Sequence, residues 1–194
     1  MREQTAIAAQ EHHHLFSTRL GACGIGWSGR GVTRVQLPER NPDATERRLR
    51  GRPADSGAGK PPAPVRQAIA MLERYFAGER VDFASVALDL NGVGPFHRKI
   101  YDAARLLDWG QTATYGELAR QVGSPGAARA VGQAMGHNPV PIIIPCHRVL
   151  AAGRKIGGFS AYGGAVTKER LLALEGVHLG GGTPLLPGLL PAGR

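Results

Sequence analysis

Cys146 is followed directly by His147 and Arg148 and is approached through Asn138-Pro139-Val140-Pro141-Ile142-Ile143-Ile144-Pro145. A thiol, a group able to take its proton and a permanent cation stand side by side, the ingredients of a thiolate nucleophile. Proline fixes its own φ and pushes the residue before it towards extended geometry. The three prolines therefore predict a stiff, extended loop that presents Cys146 at the edge of a core. An isolated Cys-His pair is more often a buried structural thiol, because free cysteine is among the most buried residue types. Charge separates the two. No Asp or Glu intervenes between Glu117 and Glu169, whereas Arg120, Arg129, Arg148, Arg154, Lys155 and Lys168 all fall in that interval. A positive field surrounds the thiol, and 24 Lys and Arg against 15 Asp and Glu, for a net charge of +9, suggest a polyanionic partner. A basic face without a ligand is the bland alternative.

The rest of the composition sets bounds. At 194 residues and 42% apolar content the chain suits one domain or two small ones with a real core. No apolar run reaches membrane-spanning length and Met1 to Gln10 hold no secretory block, so an intracellular, cytoplasmic protein with access to DNA and no membrane partner is expected. Cys23 and Cys146 are the only cysteines, and a reducing compartment with free thiols is expected. No Cys/His spacing predicts a metal, and His12, His13 and His14 read as part of a solvated polar leader. No cofactor is called for.

The elements that must position Cys146 follow from periodicity and turn residues. Residues 1–14 read as the leader. Leu15 to Leu37 alternates short strand-like runs with glycine turns, an antiparallel meander, and Asp43 to Arg50 reads as a short charged helix. Gly51 to Pro62 reads as a mobile loop. Ala63 to Gly78 carries Ile69, Leu72 and Phe76 at helical spacing, and Val81 to Leu90 reads as extended. A boundary at Asn91-Gly92 divides an N-terminal α/β unit, 15–91, from a mainly helical unit, 92–178. Leu179 to Arg194 reads as a disordered tail.

In the second unit Pro95 opens a helix with Phe96, Ile100, Ala103 and Leu107 on one face. Tyr115 to Val122 and Ala127 to Gly136 are two short helices joined by Gly123-Ser124-Pro125-Gly126, a helix-turn-helix pattern. Ala127, Ala128, Ala130, Gly132 and Ala134 leave the second helix almost bare, with Arg129 its only long charged side chain. Such a surface suits either close packing on a neighbouring helix or sequence-independent approach to DNA, with Arg129 as the probe. The Gly-rich stretch Gly157-Gly158-Phe159-Ser160 could wall a pocket for a base or be a plain surface loop. Thr167 to Gly176 reads as a last helix, with Glu175 at an end where the macrodipole disfavours a carboxylate, which suggests a partner such as His147.

Taken together these segments resemble the O6-alkylguanine-DNA alkyltransferases, the methylated-DNA–protein-cysteine methyltransferases. The resemblance spans about Gly94 to Gly176 and is carried by Thr114-Tyr115-Gly116-Glu117-Leu118-Ala119, Ala128-Arg129-Ala130-Val131-Gly132, Asn138-Pro139, Pro145-Cys146-His147-Arg148-Val149, and Leu171-Leu172 with Glu175-Gly176. Arg74-Tyr75-Phe76-Ala77-Gly78-Glu79 also matches the family pattern ahead of its linker. The resemblance implies an α+β fold: a small N-terminal sheet domain similar to ribonuclease H, then a mainly helical domain whose helix-turn-helix binds DNA. It implies DNA repair by irreversible transfer of an alkyl group from O6-alkylguanine in double-stranded DNA to Cys146, one turnover per molecule, with O4-alkylthymine an open second substrate. His147 would take the thiol proton through a water and Glu175 would hold the imidazole. Tyr115 would press on the target phosphate and donate to the base. Arg129 would fill the gap left by the flipped base, beside the small Ala127, Ala128 and Gly132. Asn138 would brace the turn. Met135, Val149, Gly157, Phe159 and Ser160 would line the pocket, and Lys168 matches a family lysine. A monomer is implied; some members bind zinc through N-terminal Cys and His, but Cys23 stands alone here, so no zinc is expected. Two readings compete: a module that binds alkylated DNA or regulates without catalysis, disfavoured by the presence of Cys146, and a cysteine hydrolase, which would draw its Cys and His from distant segments.

Overall fold

The computed structural model describes residues 11–50 and 56–179. Strands β1 (Glu11–Thr18), β2 (Gly21–Ser28) and β3 (Gly31–Gln36) form the expected antiparallel meander, and β4 (Ser56–Ala58) adds to β1 in parallel, giving the order β3-β2-β1-β4. Two expectations need correction here. The strand begins at Glu11, so residues 11–14 belong to the sheet rather than to a leader, and His13 is buried because its side chain falls on the inner face of β1. Within the stretch read as a mobile loop, residues 56–58 are paired strand, held by the backbone of β1. Residues 1–10 and 51–55 and the tail from 180 lie outside the described residues.

Helix α1 (Pro42–Arg50) lies on the sheet. Its Leu49 packs over Gly24, where a Cβ would meet Leu49 Cδ2 at 2.4 Å, so the absence of a side chain in β2 sets the helix–sheet distance. Helix α2 (Ala63–Phe76) starts on Pro64 and buries Val65, Ala68, Leu72, Tyr75 and Phe76, the i, i+3, i+7 stripe of an amphipathic helix. The segment from Val81 to Leu90 is not a strand. It touches β3 through a single bridge, Val32 to Leu88, flanked by bonds from Val32 N to Ala87 O and from Asp89 N to Val32 O, each 2.9 Å.

The second unit is mainly helical: α3 (Pro95–Arg105), α4 (Tyr115–Gln121), α5 (Ala128–Gly136) and α6 (Gly164–Leu174). A capping box starts α4, with Thr114 Oγ1 accepting from Glu117 N at 3.2 Å and the Glu117 carboxylate accepting from Thr114 N at 2.6 Å. Strands β5 (Ala113–Thr114) and β6 (Val149–Leu150) pair in parallel and tie the start of α4 to the chain just after the cysteine. One apolar cluster runs from Phe16 and Ile25 through Leu72 and Tyr75 to Ile100, Val131, Ile144 and Leu171, so the core does not divide at residue 91. The edge strand β3 reaches across to the cysteine loop, Val35 N donating to Pro139 O at 2.9 Å. Among the described residues no helix is long and apolar enough to cross a membrane.

Candidate active site around Cys146

The approach to the cysteine is a locked loop. Asn138 Nδ2 donates to Ile144 O at 2.8 Å while its Oδ1 accepts from Val140 N at 3.0 Å, so one side chain staples both ends of the bend. Ile144 N bonds Val140 O at 2.9 Å inside it. The loop is stiff, as the prolines predict, but not simply extended. Ile142 takes φ 74°, a left-handed conformation that costs a branched residue of order 1–3 kcal/mol and is held by complete burial of its side chain. The chain then closes a 3-10 turn, Cys146–Arg148, with all three side chains buried.

That turn aims successive side chains apart. His147 is fully buried, and its Nε2 lies 2.8 Å from Glu175 Oε1. Glu175, the residue that ends α6, also accepts from Arg148 Nε and Nη2 at 2.8 and 2.9 Å and from Gly110 N at 3.1 Å. Burial alone would raise its carboxyl, but the hydrogen bonds from His147 and Arg148 and the guanidinium charge overcome it and take the pKa down to about 2. Burial lowers the His147 pKa, so the imidazole is neutral and Arg148 is the charge partner of the carboxylate. With Nε2 bonded to Glu175, Nδ1 is left as the acceptor and has no partner among the described residues.

The role of Arg148 therefore differs from that expected. It does not polarise the thiol; its guanidinium faces away to Glu175 and, through Nη1, to Leu107 O at 2.6 Å. The cation near Cys146 is Lys168, whose Nζ is buried between Val149 O at 2.6 Å and Gly158 O at 3.3 Å, over the Tyr115 ring at 5.6 Å. Burial brings the Lys168 pKa down to about 8. Burial likewise pushes the Cys146 thiol up, and the Asn138 amide and the Lys168 charge pull it part of the way back. Cys23 has no such help: deep in the core, with only Thr18 near its sulfur, its pKa rises to about 12.

A cavity of about 490 Å³ opens at Cys146, within the range of small-molecule sites. Tyr115 stands on one side, the Ala128, Gly132 and Met135 face of α5 on another, and Gly158, Phe159 and Ser160 form the third, with Arg129 at the rim. Gly132 has no internal neighbour within 4 Å of an added Cβ, so the core does not require its bareness. The structure thus brings together most of the residues singled out from sequence. Three stand elsewhere. Val149 turns its side chain into the core because β6 pairs with β5, and only its carbonyl reaches the site, through Lys168. Gly157 lies beneath Tyr115, where an added Cβ would sit 3.4 Å from the phenol oxygen, rather than on the cavity wall. Ala127 precedes α5 and lies outside the lining. Sequence reasoning missed Tyr75, whose hydroxyl donates to Glu175 Oε1 at 2.8 Å, and Gly110.

Comparison with known proteins places the chain among relatives. The family described as 6-O-methylguanine DNA methyltransferase, DNA binding domain, matches residues 95–177. A methylated-DNA–protein-cysteine methyltransferase of Mycobacterium tuberculosis is 37% identical over 165 residues, 84% of this chain and 92% of the relative. That of Mycolicibacterium paratuberculosis is 45% identical over 126 residues, 65% of this chain and 74% of the relative. The crystal structure of Mycobacterium tuberculosis OGT in complex with DNA superposes with a TM-score of 0.70 at 35% identity, covering 84% of this chain and 92% of that one. Fold and site define a mixed α+β protein in which a buried cysteine, histidine and carboxylate lie close together. The chain belongs to the methylated-DNA–protein-cysteine methyltransferase family.

Proposed function

We propose that this protein repairs DNA by moving the alkyl group of O6-alkylguanine to Cys146, the observation that carries the reading being the buried Glu175–His147 pair behind a thiol that opens on a cavity between α5 and the 157–160 loop. The thiol proton passes to His147 Nδ1 through a water. The sulfur attacks the alkyl carbon in line with the C–O6 bond. An S–C bond forms, the C–O6 bond breaks, and guanine leaves with that electron pair and takes up one proton, which balances the proton given up by the thiol. Glu175 stabilises the imidazolium that exists in between, and Arg148 holds that carboxylate in place.

The target carbon is unreachable inside a duplex, so the base is flipped into the cavity at a cost of a few kcal/mol. Helices α4 and α5 act as the helix-turn-helix, the bare face of α5 enters the minor groove, and Arg129 takes the place of the missing base. Tyr115 donates to the bound base; its phenol stays protonated because burial raises its pKa. The N-terminal unit corresponds to the family's ribonuclease-H-like domain. The partner is double-stranded DNA, one protein molecule acts per lesion, and a thioether has no route back to the thiol, so each molecule acts once. Mixing the protein with excess duplex carrying O6-methylguanine and counting restored guanines tests this. One guanine per protein is expected, and continued turnover contradicts the reading.

A further inference from the structure

The catalytic array does not lie wholly within the DNA-binding unit. Tyr75, on α2 of the N-terminal unit, is fully buried, and its hydroxyl donates to Glu175 Oε1 at 2.8 Å while its oxygen lies 3.2 Å from His147 Nε2. Those partners are 72 and 100 residues away along the chain. Three groups thus meet at one carboxylate oxygen, and His147 Nε2 stands between two oxygens, Glu175 Oε1 and Tyr75 Oη, to which its N–H can point. The ring of Tyr75 is independently fixed: it stacks edge-on against Phe76, Phe83 and Trp109 at 5.2, 6.0 and 5.5 Å, so the hydroxyl cannot swing away. A phenol that is buried beside an anion holds its proton and serves only as a donor to it.

We propose that Tyr75 is a positioning residue for alkyl transfer, the N-terminal unit's contribution to the active site, which sets the rotamer of Glu175 and keeps the proton of neutral His147 on Nε2. Nδ1 is then always presented lone pair outward to the thiol side. Without the hydroxyl, Glu175 Oε1 loses one of its donors and its charge concentrates on the bond to His147. The groups facing His147 are Glu175 at the end of α6, Arg148 and Cys146 in its own turn, Lys168 of α6 and Tyr75 of α2. Of these only Tyr75 can be altered by one oxygen without removing a charge. Concentrated charge on Glu175 favours imidazolium, so the folded-state pKa of His147 rises and the base stays protonated to a higher pH.

This inference rests on the transferase reading, and two measurements on the full chain keep the two separable. The first is the single-turnover rate of methyl transfer from a duplex holding O6-methylguanine, across pH, for wild type and Tyr75→Phe. The variant should bind the duplex as wild type does, react roughly tenfold slower or worse, and show its acid limb displaced to higher pH. Replacing Tyr75 by 3-fluorotyrosine, a stronger donor, should restore the rate and move the limb back. The second is the ¹⁵N spectrum of the His147 ring across pH, which should show a neutral Nε2–H ring in wild type and imidazolium persisting to higher pH in Tyr75→Phe. An unchanged ring titration, or a rate loss that parallels lost stability with no movement of the pH limb, would overturn the proposal. Inert wild type with the expected displacement of the ring titration would instead sink the transferase reading and leave the effect of Tyr75 on His147 standing.

Discussion

The guanidinium of Arg148 meets both oxygens of Glu175, Nε to Oε2 at 2.8 Å and Nη2 to Oε1 at 2.9 Å. The carboxylate is fully buried, so this fork satisfies a charge that has no access to water. Arg148→Met should therefore destabilise the fold by about 3–5 kcal/mol, the cost of a buried charge left without its partner. Arg148→Lys should rescue little, because a point charge cannot reproduce the fork. Denaturant unfolding of the three proteins checks both statements.

Acid should dissolve the same interaction. The Glu175 pKa falls from an ordinary 4.5 to about 2 on folding. A depressed carboxyl contributes stability above its unfolded pKa and loses it as pH falls through the folded one. The window is thus from about 5 down to about 2, and the contribution at neutral pH is about 3 kcal/mol. Unfolding free energies for wild type and Glu175→Gln, followed from pH 7 downwards, should converge in that window.

Thiol labelling should distinguish the two cysteines. Cys23, with no exposure and a pKa pushed to about 12, should react with iodoacetamide only on unfolding. Cys146 should react in the native protein, faster as pH rises, and more slowly in Lys168→Met, because loss of the neighbouring cation raises the thiol further. Peptide mapping at fixed pH checks the order of the rates.

The face of α5 should tolerate bulk in the fold and not in function. A Cβ at Gly132 would meet nothing within 4 Å, and glycine costs a helix about 1 kcal/mol, so Gly132→Leu should leave stability equal or slightly higher. The same substitution should abolish duplex binding if this face enters a groove. Arg129→Ala, at an exposed position, should change stability by less than about 0.5 kcal/mol and slow transfer from duplex roughly tenfold or more. Calorimetry and single-turnover rates give the two readouts.

How much of this was legible in the chain varies from residue to residue. Local signals gave helices: Pro95 at the start of α3 and the apolar stripe of α2, whereas the capping box of Thr114 and Glu117 was passed over. Glu175 was legible because a carboxylate at a helix C-terminus is costly and needs a partner. Tyr75 was not, since nothing local links a buried helix tyrosine to a histidine 72 residues on. His12 to His14 misled because a polar run at a chain end reads as solvated, whereas alternation on a strand sends His13 inward. The role of Arg148 was misjudged for a similar reason. Adjacency in sequence to Cys146 said nothing of direction, and a 3-10 turn points neighbouring side chains apart.

The most direct test is the intact mass and peptide map of the protein after incubation with a duplex carrying one O6-methylguanine, beside a Cys146→Ser control. The account predicts a single methyl in place of one proton on the Cys146 peptide, saturating at one equivalent, with the control unchanged. Duplex binding without any gain in mass, or a methyl found elsewhere, would contradict it.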